Sequence, residues 1–521
     1  MSFHLLMTML HAAITATLVI CTTRSSSTRA VMAFSTKSFL STSERVRQIQ
    51  LSSISIANNE QLQTFRKIYP ADPEETFRKM QEKHRPIASS FVPSTFNPHP
   101  FLTNNHFQTI SGVFLRKNPD CAYVASSDSN VTSMTKVLAA ISDMPPKSNE
   151  MECEFWDARQ RMSTSCQLDF YTVDIKYAAS ACTENEEELR TTHKFQSAQS
   201  QGMVILIHGL ESNSNSSLST DMASAYSQSG FDVACLNFRG CCGSPNESLG
   251  GYHLGFTDDL RHFLKYVSEL WEGVNDIDSN NNSRSDDSDD DVNIGEAMTF
   301  DKRPIYLSGF SLGANVVVKC LGELGDAAFT LYNVHGAAVT GAPFDCERNI
   351  RYVEAPGFNR MVYSRNFLKT LKKRAEYQLE AFCEGDVDTE VFDFKGCMGA
   401  TTIAEFENAF IARVYGFEDN IDYYRSTSCY YFLKGVAVPL YILNAGDDPF
   451  FDPDFFPIEE SVDGRSMAPI KMKRTKEGGH LGFMFHQLSD LERKEMGDQN
   501  QASWMPMELA RFIRHVHNYG E

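Results

Sequence analysis

Basic side chains are the scarce component of this 521-residue chain: 48 Lys and Arg stand against 67 Asp and Glu, a formal net charge of −19. A protein built to hold nucleic acid carries the opposite imbalance, so that class is excluded. Cysteine order is missing too. Thirteen cysteines, an odd number at irregular spacing, make neither a disulfide framework nor a zinc signature. They read as free thiols, and neither a metal nor a cofactor is expected. No glycine-rich phosphate cradle stands at a strand-to-helix switch, which disfavours phosphoryl and hydride chemistry.

Acid is absent from the first 43 residues, Glu44 being the first acidic position. Leu5 to Cys21 is a mostly apolar run near the lower limit for crossing a bilayer, without a basic flank before it. Residues 22–43 then hold twelve Ser or Thr and three basic residues, the composition of a transit peptide. A cleaved signal peptide, a retained signal anchor and a two-part leader to a plastid all fit residues 1–50 as a targeting or anchor segment. In a secretory compartment the sequons at Asn130, Asn215, Asn246 and Asn281 would be exposed.

What is present begins with Gly309-Phe310-Ser311-Leu312-Gly313, which follows the apolar run Pro304–Leu307 and opens a helical stretch, Ala314 to Glu323. Strand, sharp turn and helix are the setting of a nucleophile elbow, with Ser311 at its tip. The turn demands near-absent side chains two residues to either side, and Gly309 and Gly313 meet that demand. Such a serine needs an acid and then a base later in the chain. Pro439–Leu443 reads as a buried strand leading into Gly446-Asp447-Asp448-Pro449, so the acid is one of two aspartates. Ile470 to Thr475 reads as another strand, and Gly478-Gly479-His480 follows it, with His480 the candidate base. For a developing oxyanion the donors would be the backbone N–H groups of Leu312 and of Leu210, the latter after the strand Met203–Ile207 and its His208-Gly209 turn. His208 reads as a brace for that loop. His253-x4-Asp258 has the outline of an acyltransferase motif, but is read as a histidine before a helix that Asp258 caps.

Several blocks in one order resemble a known family. His208-Gly209-Leu210-Glu211, Asn237 to Ser244, Gly309 to Gly313 with Asn315, Asp447 to Phe450 and Gly478 to Phe483 are similar to the YheT-like, or embryogenesis-associated, branch of the α/β-hydrolases. Pro100-Phe101-Leu102, His106, Gln108-Thr109, Tyr252-His253 with Gly255 and Thr257, Tyr415 to Phe417 and Asp422 to Tyr424 add to the resemblance, which covers residues 95–515. It implies Ser311, Asp448 and His480 as catalytic residues, Asp448 being preferred to Asp447 because it stands directly before Pro449. It also implies substrates like those of acylglycerol lipases, phospholipases and short-chain carboxylesterases, and an anchor to a membrane. Two positions depart from the pattern: Phe406-Glu407 where Phe-Asp is common, and Cys241-Cys242 where glycine is frequent.

The expected architecture is an α/β-hydrolase fold, a mostly parallel sheet with helices on both faces. Asp259 to Trp271 supplies one covering helix, its apolar residues at helical spacing. Residues 51–165 read as an N-terminal extension and 166–521 as the hydrolase domain. Asp276 to Asp291 holds seven aspartates with Arg284 the single base, too polar to fold. It marks a disordered insertion over 273–300, and Asn281 and Asp287 spoil any calcium loop there. Residues 184–201 read as a surface loop, and 346–435 as a helical lid. Within the lid, Asn359 to Phe382 mixes Arg360, Arg365, Lys369, Lys372, Lys373 and Arg374 with apolar residues. Such a helix either lies on an anionic membrane surface or is an ordinary solvated helix of the cap. The expected activity is a serine hydrolase acting on a lipid or small-molecule ester, with membrane association and no nucleic-acid partner. Acyl transfer by the same residues and non-catalytic lipid binding are the alternatives. Oligomeric state is not legible.

Overall fold

Alternation decides the core. In the strand Met203–Ile207 every residue is buried, and successive side chains leave on opposite sides. Met203, Ile205 and Ile207 enter one apolar cluster and Val204 and Leu206 the other. A strand apolar on both faces belongs in the middle of a sheet covered twice, and each such side chain stabilises the fold by about 1.5–3 kcal/mol.

The computed structural model describes residues 73–116, 155–165, 167–178, 200–281, 303–487 and 504–519. Eight strands form one sheet: β1 (Ala158–Ser163), β2 (Phe170–Lys176), β3 (Met203–Ile207), β4 (Asp232–Asn237), β5 (Ile305–Phe310), β6 (Val334–Thr340), β7 (Leu440–Ala445) and β8 (Ile470–Thr475). Their spatial order is β1-β2-β4-β3-β5-β6-β7-β8. The pairs from β4 through β8 are parallel, while β1 and β2 join antiparallel at one edge. The helices needed below are α1 (Pro73–Ser90), α2 (Asn105–Phe114), α3 (Ser217–Gln228), α4 (Asp258–Asn281), α5 (Leu312–Leu324), α6 (Arg365–Phe382) and α7 (Trp504–Asn518). One face of the sheet packs on α4 and α5 through Leu260, Phe263, Val317 and Leu321. The other packs on α3 and α7 through Met222, Tyr226, Leu509 and Phe512.

Three expected boundaries are corrected. The extension 51–165 is not separate from the domain expected over 166–521: β1 lies inside it and pairs along its whole length with β2. Phe91 and Phe96, just after α1, are buried in the same cluster as Val204 and Leu206. The acidic insertion does not begin at 273, because α4 continues to Asn281; an established amphipathic helix adds one hydrogen bond per residue and propagates into polar sequence. Residues 282–300, the leader 1–50 and most of the 184–201 stretch lie outside the described residues. Asp258 is the first residue of α4 rather than its cap.

Between β6 and β7 the chain is helical, from Cys346–Glu354 through α6 to Asn420–Thr427, with no strand. Its basic helix is not uniformly solvated. Lys372 Nζ donates to Met398 O (2.7 Å), and Arg374 turns inward to lie over the Tyr252 ring at 4.7 Å. Among the described residues no helix is long and apolar enough to cross a membrane. Of the sequons, Asn246 is closed: it is 4% exposed, its amide donates to Ser248 O, and its Oδ1 accepts from Gln378 Nε2 (3.3 Å).

Candidate active site

The carboxyl ends of β5, β7 and β8 converge on one crevice, as parallel sheets arrange their sites. β5 ends at Phe310 and α5 begins at Leu312, so one residue makes the reversal. Ser311 makes it with φ 55° and ψ −121°, a conformation that costs a non-glycine residue about 1–3 kcal/mol and persists only where its surroundings hold it. Its N–H donates to Thr340 O on β6 (3.0 Å), and its carbonyl accepts the Asn315 N–H (3.2 Å). A Cβ on Gly313 would stand 2.2 Å from Ile207 O, and one on Gly309 2.6 Å from Gly313 O. Strand and helix pass so closely that any side chain at either position would drive them apart.

Ser311 Oγ–H donates to His480 Nε2 (3.0 Å), and His480 Nδ1–H donates to Asp448 Oδ2 (2.8 Å). Asp448 and His480 are 4% and 8% exposed, which keeps water from competing for these bonds. The second Asp448 oxygen accepts the Phe450 N–H (2.8 Å). Asp447 faces elsewhere: its Oδ1 accepts the Gly479 N–H (2.9 Å). Burial, reinforced by the Asp448 charge, raises the Asp447 carboxyl to about 6, against the lowering effect of that amide. Of the two aspartates, then, only Asp448 reaches the imidazole. The His480 ring packs against Phe450 (4.3 Å between centroids) and Phe451 (5.4 Å). Phe450 in turn meets Tyr363 and Phe367 of the helical segment between β6 and β7 at 4.7 and 5.7 Å, which makes an aromatic wall beside the imidazole.

The loop after β3 passes next to the serine, since a Cβ on Gly209 would lie 3.2 Å from Ser311 Cβ. Leu210 follows directly, and Leu312 on the other side of Ser311 opens α5, where backbone N–H groups have no partner within the helix. His208 has no exposure. Its Nδ1–H donates to Gly209 O (2.8 Å) and its Nε2 accepts the Phe238 N–H (3.2 Å); burial lowers its pKa to about 4, so a neutral ring braces the loop. Glu211, at φ 54°, gives its N–H to Tyr252 Oη (2.9 Å) and has Arg374 of α6 at 3.8 Å. Sequence reasoning missed this tether between α6 and the loop, because the charges along α6 give no sign of which one turns inward.

His253 is enclosed by Tyr415, Phe256, Tyr423 and Phe417 at 4.5–5.8 Å. It accepts the Gly255 N–H (3.2 Å), and burial depresses its pKa to about 3; it is a core histidine. The Cys241 thiol is pushed up to about 11 by burial. The eight described cysteines are all unpaired. Among the described residues no three His, Cys, Asp or Glu side chains group as a metal site would require.

Sheet, elbow and crevice are those of an α/β-hydrolase, and residues 202–380 match the family described as the alpha/beta hydrolase fold. A putative esterase, YheT, of Escherichia coli K12 is 30% identical over 287 residues, 55% of this chain and 72% of that protein. A monoacylglycerol lipase of Saccharomyces cerevisiae is 24% identical over 329 residues, 62% of each chain. The embryogenesis-associated protein EMB8 of Picea glauca is 25% identical over 287 residues, 54% of this chain and 53% of that one. The chain thus spans less than two thirds of the yeast and spruce proteins. It belongs to the YheT-like, embryogenesis-associated branch of the α/β-hydrolase family.

Proposed function

We propose that the protein is a serine hydrolase that cleaves a carboxylic ester, most fittingly a lipid ester, through an acyl-enzyme on Ser311. The observation that carries this reading is the buried hydrogen-bonded chain from Ser311 through His480 to Asp448. Ser311 Oγ attacks the ester carbonyl as its proton passes to His480 Nε2, and Asp448 holds the imidazole in the tautomer that can accept it and stabilises the imidazolium. The amides of Leu210 and Leu312 receive the oxyanion, each such donor being worth about 3–4 kcal/mol in the transition state. His480 then returns the proton to the leaving alcohol, and water attacks the acyl-enzyme with the same base. An aromatic wall from the lid suits an apolar acyl group, and the yeast relative's name, a monoacylglycerol lipase, agrees with it. In this reading the substrate lies at a membrane, to which residues 5–21 would bring the enzyme, and 346–435 covers the site as a lid.

The test is labelling of the full chain with a fluorophosphonate beside Ser311→Ala, followed by p-nitrophenyl esters of increasing chain length. Labelling that is lost in the variant, and turnover that rises with chain length, is the expected result. A folded native chain that neither takes the probe nor turns over any ester overturns the proposal and favours lipid binding. Acyl transferred to an added alcohol in preference to water points to the transferase alternative.

A further inference from the structure

The block Pro100-Phe101-Leu102, His106, Gln108-Thr109 lies far in sequence from every strand that carries the candidate site, yet the structure brings its Gln108-Thr109 end against the loop that carries the base. Helix α2 lies along the loop 478–485 that presents His480, and that loop is unusual. Its non-glycine residues Leu481, Phe483 and Phe485 have φ of 62°, 43° and 62°, in the left-handed region that L side chains avoid. Three such residues in alternation do not hold themselves in place; neighbours must over-determine them.

Helix α2 supplies those neighbours. The His480 N–H donates to Thr109 Oγ1 (2.8 Å), and the Thr109 hydroxyl donates to Asn105 O one turn back (2.8 Å), which aims its lone pair at the histidine. Gln108 pairs with Met484 as one strand residue pairs with another: its Oε1 accepts the Met484 N–H (2.8 Å) and its Nε2 donates to Met484 O (3.2 Å). Asn105 Nδ2 donates to Asp447 O (3.0 Å), so the same helix touches the acid's loop. Just past α2, Arg116 donates to Leu481 O (2.9 Å) and Gly482 O (2.7 Å). A Cβ on Gly482 would fall 2.3 Å from Gln108 O, which shows how tightly helix and loop are apposed.

We propose that α2 is a clamp that sets the position of the base, with Thr109 as its positioning residue, an inference that rests on the reading of His480 as the base. Thr109 bonds to the backbone amide of His480, not to its ring. Its contribution is therefore to the angle at which Nε2 meets the serine hydroxyl, where a shift of about 1 Å is enough to lower a rate by about 100-fold.

The experiment compares the native full chain with Thr109→Val and Thr109→Ser. Three readouts are taken: kcat and KM for a p-nitrophenyl ester, the rate of fluorophosphonate capture, and hydrogen–deuterium exchange of the peptide spanning 478–486. Thr109→Val is expected to lower kcat and probe capture by about 10- to 100-fold with KM within about twofold, and to speed exchange of the 478–486 peptide. Thr109→Ser restores all three. Unchanged exchange and kcat in Thr109→Val overturn the proposal. So do equal losses in the Val and Ser variants, which would mark a packing role. If the native chain takes no probe at all, it is the hydrolase reading that falls, and exchange alone then decides whether α2 clamps the loop.

Discussion

Two adjacent aspartates, one of them bonded to the imidazole and the other to a backbone amide, make a sharp pair of experiments. Asp448→Asn leaves the shape of the site intact but presents an amide to His480 Nδ1, and kcat should fall by about 10³–10⁴-fold, as for the equivalent change in a serine triad. Asp447→Asn keeps an oxygen for the Gly479 N–H and should stay within about tenfold of native; steady-state kinetics on one ester decides between them. An inverted order would exchange the roles of the two carboxylates. Ser311 and His480 were legible in the sequence because each sits in a turn fixed by its own strand, within a few residues of the glycines that the turn requires. The choice of Asp448 came from resemblance, and its carboxylate lies 2.8 Å from His480 Nδ1. Thr109 carried a family-like pattern but no legible role, since its partner stands 371 residues away and no local periodicity reports such a contact.

At the scale of elements, the strands were easiest to read and the edges hardest. Met203–Ile207 and Ile470–Thr475 fall at the bounds read from the sequence, the first an unbroken apolar run and the second only alternately buried. β1 was passed over because Ala-Arg-Gln-Arg-Met-Ser buries only Met162. That polarity has a reason, because an edge strand with charged side chains discourages pairing with another chain. In the helical segment between β6 and β7, Glu407 departs from the family pattern and is largely enclosed. Burial, with the Glu354 charge adding to it, raises its carboxyl to about 8 even though the Tyr424 hydroxyl donates to it. In the unfolded chain the same group titrates near the usual 4.3. Between about pH 4.5 and 8 the folded state therefore holds a proton that the unfolded state has lost, and stability declines as pH rises, by up to about 1.4 kcal/mol per pH unit from this group. Glu407→Gln should flatten that decline, its melting temperature matching native near pH 5 and exceeding it near pH 8. Parallel melting curves across that range would show that Glu407 ionises normally in the fold.

For the molecule as a whole, the sequence drew a boundary at residue 166 that the fold does not respect. Arg116 and Asp221 join the segment after α2 to α3 with a 2.5 Å ion pair, the side chains only 2% and 3% exposed. Removing one partner of such a pair strands the other charge out of water, at about 3–5 kcal/mol. Arg116→Met should lower the urea midpoint accordingly; a midpoint unchanged from native would mean that residues 73–116 contribute little to the global fold. Boundary placement failed here for a physical reason: composition changes gradually through this region, while the bonds that unite it with the rest span hundreds of residues.

The clamp also sets a schedule. On a ribosome adding about 5–20 residues per second, Thr109 emerges roughly 20–75 s before His480, and the polar face that α2 turns toward the loop spends that interval without its partner. Nascent chains of every intermediate length should thus be unable to hydrolyse ester, even after Ser311 and its elbow have formed. Helix α2 is thus made long before the loop that it holds, and in the proposed mechanism a chain that stops short of His480 has a nucleophile without its base.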